Sequence, residues 1–240
     1  MKIIAVTQKG INKTENEDRI VIGKSIIAEG TIFTEIDNGV LAVADGVGGN
    51  NAGSVASHFI AGKLCILKEV SDEALSAINE ELLRLSMEKS EYHGMATTLS
   101  GMLLSQGKAR LFSIGNTRMY LLQCRKYLKQ ITNDDTTLNY LLASGQLTLE
   151  DAEKFNKKNE ITACFGGGSS QLFKIKFSSI EFLDSPILIT SDGIHDYIPI
   201  DQMEDIIGEF GVSIAACEAM IIAARDGGSC DDISIVLGDV

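Results

Sequence analysis

Aspartates at the ends of apolar strands are the residues best placed to do chemistry in this chain. Val43-Ala44-Asp45-Gly46-Val47-Gly48-Gly49 sets a carboxylate after an apolar run. The glycines behind it let the backbone turn tightly and bring a carbonyl toward a ligand. Leu188-Ile189-Thr190-Ser191-Asp192-Gly193 repeats the design, Asp231 stands just before Ile233-Ser234-Ile235-Val236, and Glu17-Asp18 precede Arg19 to Ile22. Read singly, each Asp-Gly is a turn signal. Read together, clustered carboxylates repel one another unless a divalent cation neutralises them. Oxygen donors without a neighbouring His or Cys suit Mg²⁺ or Mn²⁺ better than Zn²⁺.

The elements that must position these acids are mostly strands. Runs rich in Ile, Val, Phe and Tyr, bounded by Gly, Asn or Asp, predict strands over Ile3–Gln8, Arg19–Ala28, Gly39–Ala44, Thr97–Leu104, Ala109–Ile114, Arg118–Cys124, Phe173–Phe177, Pro186–Thr190 and Ile233–Val240. Helical patterns cover Asn51–Glu69 and Ser71–Lys89, the second with a Ser cap and with Leu75, Ile78, Leu82 and Leu85 on one stripe. Two more follow Asp201 and Val212. This order lacks the strict alternation of a parallel α/β sheet. It predicts an α+β fold with helix pairs flanking stacked antiparallel sheets.

Composition bounds the possibilities. The chain has 240 residues, 45% hydrophobic, with 33 acids against 21 Lys plus Arg and a formal charge of −12. That suits one globular domain over residues 1–240 and speaks against a nucleic-acid backbone binder or docking on an anionic membrane. The apolar start Met1 to Val6 is too short for a signal peptide, and the window Ile214 to Ala224 is about half the roughly 20 residues a spanning helix needs. Five cysteines without a C-x-x-C spacing read as reduced thiols, so a cytoplasmic protein is expected.

Six motifs in order carry a resemblance: Glu17-Asp18, Asp45-Gly46-Val47-Gly48-Gly49, Gly94-Met95-Ala96-Thr97-Thr98, Gly115-Asn116-Thr117-Arg118, Ser191-Asp192-Gly193 with Asp196, and Asp231-Asp232-Ile233-Ser234. Over nearly its whole length the chain resembles the metal-dependent protein phosphatases (the type 2C family) in their compact bacterial form. The resemblance implies an αββα sandwich and two Mn²⁺ or Mg²⁺ ions. Asp45 would bridge the ions, Asp192 and Asp231 would complete one, and the Gly46 carbonyl, with Glu17 or Asp18, would serve the other. Such a centre, its ions roughly 3.5 to 4 Å apart, presents a bridging hydroxide to phosphorus and requires no side-chain nucleophile.

Three positions depart from the family pattern. Lys13 stands where an arginine usually grips phosphate, and a point charge anchors phosphate less firmly than a planar fork. Asn116 replaces an aspartate that helps bind a third ion, so that site should be weak or absent. Val47 occupies the place where some members carry a histidine acid, which leaves leaving-group protonation to water. Residues 133–168 correspond to the family's flap, with a helix expected over Thr136–Leu147, a charged stretch Glu150–Lys158 holding Lys154, Lys157 and Lys158, and Gly166-Gly167-Gly168 read as a hinge. The resemblance implies phosphoserine or phosphothreonine proteins as substrates and a cognate Ser/Thr kinase as counterpart. Two alternatives stay open: a catalytically weak phosphoprotein-binding module of the same fold, and a phosphatase acting on an anti-sigma-factor antagonist.

Overall fold

A computed structural model describes residues 1–48, 52–152, 154–181 and 183–240. The chain opens with strands β1 (Lys2–Gln8), β2 (Arg19–Ile22), β3 (Ser25–Ile27), β4 (Gly30–Glu35), β5 (Gly39–Ala44) and β6 (Gly46–Val47), then helices α1 (Ala52–Ile66) and α2 (Asp72–Ser86). Strands β7 (Ala96–Thr97), β8 (Leu99–Ser105), β9 (Lys108–Ile114), β10 (Arg118–Gln123) and β11 (Tyr127–Gln130) follow. Short helices α3 (Thr137–Ala143) and α4 (Leu149–Ala152) lead to β12 (Phe165–Gly166), β13 (Lys176–Ile180) and β14 (Ile187–Thr190). The chain ends with α5 (Asp192–His195), α6 (Ile200–Phe210), α7 (Ile214–Asp226) and β15 (Ile233–Asp239).

Two six-stranded antiparallel sheets result, ordered β11-β10-β14-β15-β1-β4 and β13-β9-β8-β5-β2-β3, with a small β12-β7-β6 sheet beside them. Helices α1 and α2 cover one large sheet through Ile60, Leu64, Leu75 and Leu82. Helices α6 and α7 cover the other through Met203, Ile207, Met220 and Ile221. Ile3, Ala5, Leu41, Val43, Ile187, Ile189 and Val236 fill the space between the sheets. Alternate residues of β1 therefore face different cores, Ile3 and Ala5 one and Ile4 and Val6 the other. A strand covered on both faces reads as one continuous apolar run.

Antiparallel register brings the acids together. Arg19 pairs with Ala44, so Asp18, just before the one, and Asp45, just after the other, emerge at the same end of their sheet. In the other sheet Gln8 pairs with Ile233 and Thr190 with Ile235, which brings the start of the Lys13 loop, Asp192 and Asp231 to one end. Loops at the meeting of those two ends form the site.

The expected layers and most elements are present, with some differences. Arg19–Ala28 is two strands because Gly23, with φ of 60°, turns the chain between them. The strand expected at Phe173–Phe177 runs Lys176–Ile180, and the one expected from Thr97 is split into β7 and β8. β4 and β11 were not anticipated, both being edge strands with exposed positions. Gly49, Asn51 and Glu153, which fall within the turn motif, the first helix and the flap segment, lie outside the described residues. The flap helix is the shorter α3, capped by Thr136, whose hydroxyl accepts from Asn139 N. Gly166, Gly167 and Gly168 all have positive φ, and Gly166 N donates to Asn79 Oδ1 at 2.8 Å, so the run is a packed joint rather than a free hinge. No helix among the described residues is long and apolar enough to cross a membrane.

Candidate metal centre

Asp45 sits between β5 and β6 with its backbone fixed from the neighbouring sheet. Its carbonyl accepts from Thr98 N at 2.9 Å and from Thr97 Oγ1 at 2.8 Å. Gly46 must be glycine, since a Cβ there would overlap the Gly53 carbonyl and come within 2.7 Å of Glu17 O. That close approach presses the start of α1 against the Glu17 segment, where Ser57 Oγ donates to Glu17 O at 2.5 Å. Asp192 is the first residue of α5, and Asn116 Nδ2 donates to its Oδ2 at 3.0 Å.

These groups surround a cavity of about 250 Å³ whose lining includes Lys13, Glu17, Asp45, Gly46, Asp192 and Asp231, with Asn116 at its side. Lys13 Nζ pairs with Asp231, with Asp232 Oδ2 at 3.0 Å and with Glu17 Oε2 at 3.5 Å. Asp18 lies beneath, 1% exposed, and neither carboxylate oxygen has a partner in hydrogen-bonding geometry.

The acids disturb one another. Burial, then the charges of Asp192, Asp18 and Asp231, holds the Asp45 carboxyl well above its ordinary range. Burial and Asp231 raise Asp192, against hydrogen bonds from Asn116 and Asp45. Burial and Asp232 push Asp18 up to about 7, opposed in part by the nearby Ser234 and Ser191 hydroxyls. Burial also raises Glu17, with Lys13 opposing. A hard cation among these oxygens would reverse the penalty. As placed, no three acids, histidines or cysteines among the described residues form a closed cage for one ion. The all-oxygen donor set, the crowding and the orphaned Asp18 oxygens nonetheless fit Mg²⁺ or Mn²⁺.

Known proteins similar to this chain span nearly all of it. No protein-family model matches the chain. It is 28% identical over 248 residues to the serine/threonine phosphatase Stp of Listeria monocytogenes, a match covering 96% of this chain and 92% of that protein. The crystal structure of the Mycobacterium tuberculosis serine/threonine phosphatase PstP superposes with a TM-score of 0.83 at 25% identity, covering 100% of this chain and 99% of that one. The catalytic domain of a PstP phosphatase in complex with two manganese ions matches with a TM-score of 0.78 at 26% identity, covering 100% and 99%. Over nearly its whole length the chain is similar to bacterial serine/threonine phosphatases, and it shares their fold.

Within this phosphatase fold, Lys13, Glu17, Asp45, Gly46, Asn116, Asp192 and Asp231 all line one cavity, while Asp18 is set below it. Asn116 serves as a hydrogen-bond donor to Asp192, a part the sequence did not suggest. His195 turns away from the acids, its Nδ1 2.8 Å from Thr190 Oγ1. A second cavity of about 580 Å³ adjoins the first through Asn116 and Asn159 and is lined also by Arg118, Lys157, Lys158 and Asp196. Asn159 of the flap donates to Asp196 Oδ2 at 2.5 Å, and burial with the Asp192 charge pushes Asp196 up to about 7. Lys154 lines neither of these two cavities. The sequence reading assigned no role to Asp232, Arg118 or Asp196. All three stand inside the motifs that carried the resemblance, which was the available signal.

Proposed function

We propose that residues 1–240 form a divalent-metal-dependent serine/threonine protein phosphatase, with Mn²⁺ or Mg²⁺ as its cofactor. The observation that carries this reading is the meeting of Asp45 from one sheet with Asp192 and Asp231 from the other in a single cavity of crowded carboxylates. Asp45, Asp192, Asp231 and Glu17, with the Gly46 carbonyl, would hold the ions, and Asp18 would support them from beneath. Bound there, two divalent ions supply charge neutralisation for a phosphoryl group and an activated water.

The chain's own groups do the rest. Asn116 fixes the Asp192 carboxylate by donating to it through Nδ2, and its amide oxygen, carrying no charge, would make only a weak third ion site. Lys13 brings a point charge to the cavity edge, suited to a phosphate oxygen but less directional than a guanidinium. Among the described residues no histidine lines the acidic cavity, and the proton for the departing seryl or threonyl oxygen comes from water. Its substrates are phosphoserine or phosphothreonine proteins, and its activity opposes a Ser/Thr kinase.

The test is hydrolysis of an aryl phosphate and a phosphothreonine peptide with Mn²⁺. Asp45→Asn and Asp192→Asn should each lose at least about 100-fold in kcat/KM, roughly 2.7 kcal/mol of transition-state stabilisation. Wild-type rates in either variant would refute the assignment.

A further inference from the structure

The two acids of the Asp231-Asp232 doublet have different surroundings. Asp231 has a side chain 43% exposed at the cavity, whereas that of Asp232 is 3% exposed. Asp232 Oδ1 accepts from Gly10 N at 2.7 Å, and its Oδ2 accepts from Glu17 N at 2.8 Å and Lys13 Nζ at 3.0 Å. Gly10 and Glu17 stand at the two ends of the loop joining β1 to β2, and Lys13 lies between them. One buried carboxylate thus closes the loop at both ends and holds its cation.

The anchor is itself firmly placed. Asp232 N donates to Asp231 Oδ1 at 2.8 Å, and β15 begins at the next residue. The Asp232 carbonyl lies against Gly193, where any Cβ would collide with it. Within the loop Lys13 N also donates to Gly10 O at 3.3 Å, and Ser54 Oγ of α1 donates to Glu15 Oε1 at 2.7 Å, while Asp232 is the carboxylate that bonds both loop ends and the lysine. A lysine side chain free in such a loop would lose much rotamer freedom on meeting an anion, and a side chain already held loses less. Asp231 and Glu17 also touch Lys13, but both line the cavity, where other cations compete for them. Asp232 is the partner that the cavity does not share.

We infer that Asp232 is a positioning residue that, through the 10–17 loop, holds Lys13 where it meets the substrate's phosphate. This rests on the phosphatase reading above.

The test is a double-mutant cycle on the Mn²⁺-loaded protein. It combines steady-state kinetics on a phosphothreonine peptide with calorimetric titration of inorganic phosphate. Asp232→Ala and Lys13→Met should each raise KM and weaken phosphate binding about tenfold, with kcat within about threefold. Lys13→Met should add little in the Asp232→Ala background. Asp232→Asn keeps the shape but loses one acceptor, so it should show the same KM effect at about threefold, and it carries the test if the alanine variant does not fold. A fall in KM on replacing Asp232 would mean that it only screens Lys13, and would overturn the inference. So would an undiminished Lys13→Met effect in the Asp232→Ala background, or a loss confined to kcat. If Lys13→Met leaves KM unchanged in an active enzyme, the positioning inference fails and the phosphatase reading stands. If the wild-type protein hydrolyses no phosphoester, both fail.

Discussion

The imidazole of His195, the last residue of α5, is buried three residues along from Asp192, yet it bonds Thr190 and faces the charge of Arg118 on β10. Burial first, and then Arg118, holds its pKa well below 6.5, so the folded ring is neutral. The unfolded ring takes up a proton below about 6.5 that the folded ring refuses. The stability it contributes is therefore present above that pH and lost as pH falls, with a slope approaching about 1.4 kcal/mol per pH unit. Urea melts between pH 8 and pH 5 should show a steeper acid-side decline for the wild type than for His195→Gln. Parallel slopes would show that the ring protonates in the folded state. Buried carboxylates such as Asp18 and Asp196 titrate in both proteins, so the difference between the slopes reports the histidine. The sequence placed His195 three residues after Asp192 but could not give its direction, because that depends on Thr190 in the preceding strand. The role of Asp232 was hidden for a similar reason, its partners Gly10, Lys13 and Glu17 being more than 200 residues away along the chain.

Among the elements, the flap depends on its root. Asp134 accepts from Arg118 Nε and Nη2 at 2.8 and 2.6 Å, from Gln130 Nε2 at 2.9 Å, and through its carbonyl from Asn139 Nδ2 at 3.2 Å. One residue so joins β10, β11 and α3, a helix with no buried side chain of its own. Its carboxylate is 6% exposed and the arginine 27%. Removing one partner of such a pair strands the other, so Asp134→Ala should cost about 2–4 kcal/mol, somewhat less than a fully buried pair. It should also speed proteolytic cleavage within residues 137–160, and unchanged stability with unchanged cleavage would contradict this account. Elements of this kind were the least legible in the sequence. β1, β5, β14 and β15 stand out because both faces are covered, while β4, β11 and β13 have no continuous apolar run. Edge strands pack on fewer neighbours, so their residues are less constrained in type.

At the scale of the whole molecule, the net charge of −12 is in part a property of the site, and two divalent ions would offset about a third of it. Burying Asp45 beside Asp192, Asp18 and Asp231 works against the fold until a cation arrives. Metal binding and stability are then linked, with opposite consequences for one substitution. In a chelator, Asp45→Asn removes one of the repelling charges and should melt above the wild type by roughly 1–2 kcal/mol, about 2–8 °C for a chain of this size. With Mn²⁺ at about 100 times its dissociation constant, the wild type should gain about 2.7 kcal/mol, or about 5–10 °C, and the variant far less. The order of melting temperatures should therefore reverse between the two conditions. Calorimetry is the suitable probe, because the chain contains no tryptophan to report unfolding by fluorescence. If Asp45→Asn melts lower than the wild type in chelator, the acids are not in mutual repulsion. If Mn²⁺ shifts both proteins equally, Asp45 is not a ligand, and the cavity would need another explanation for its concentration of carboxylates.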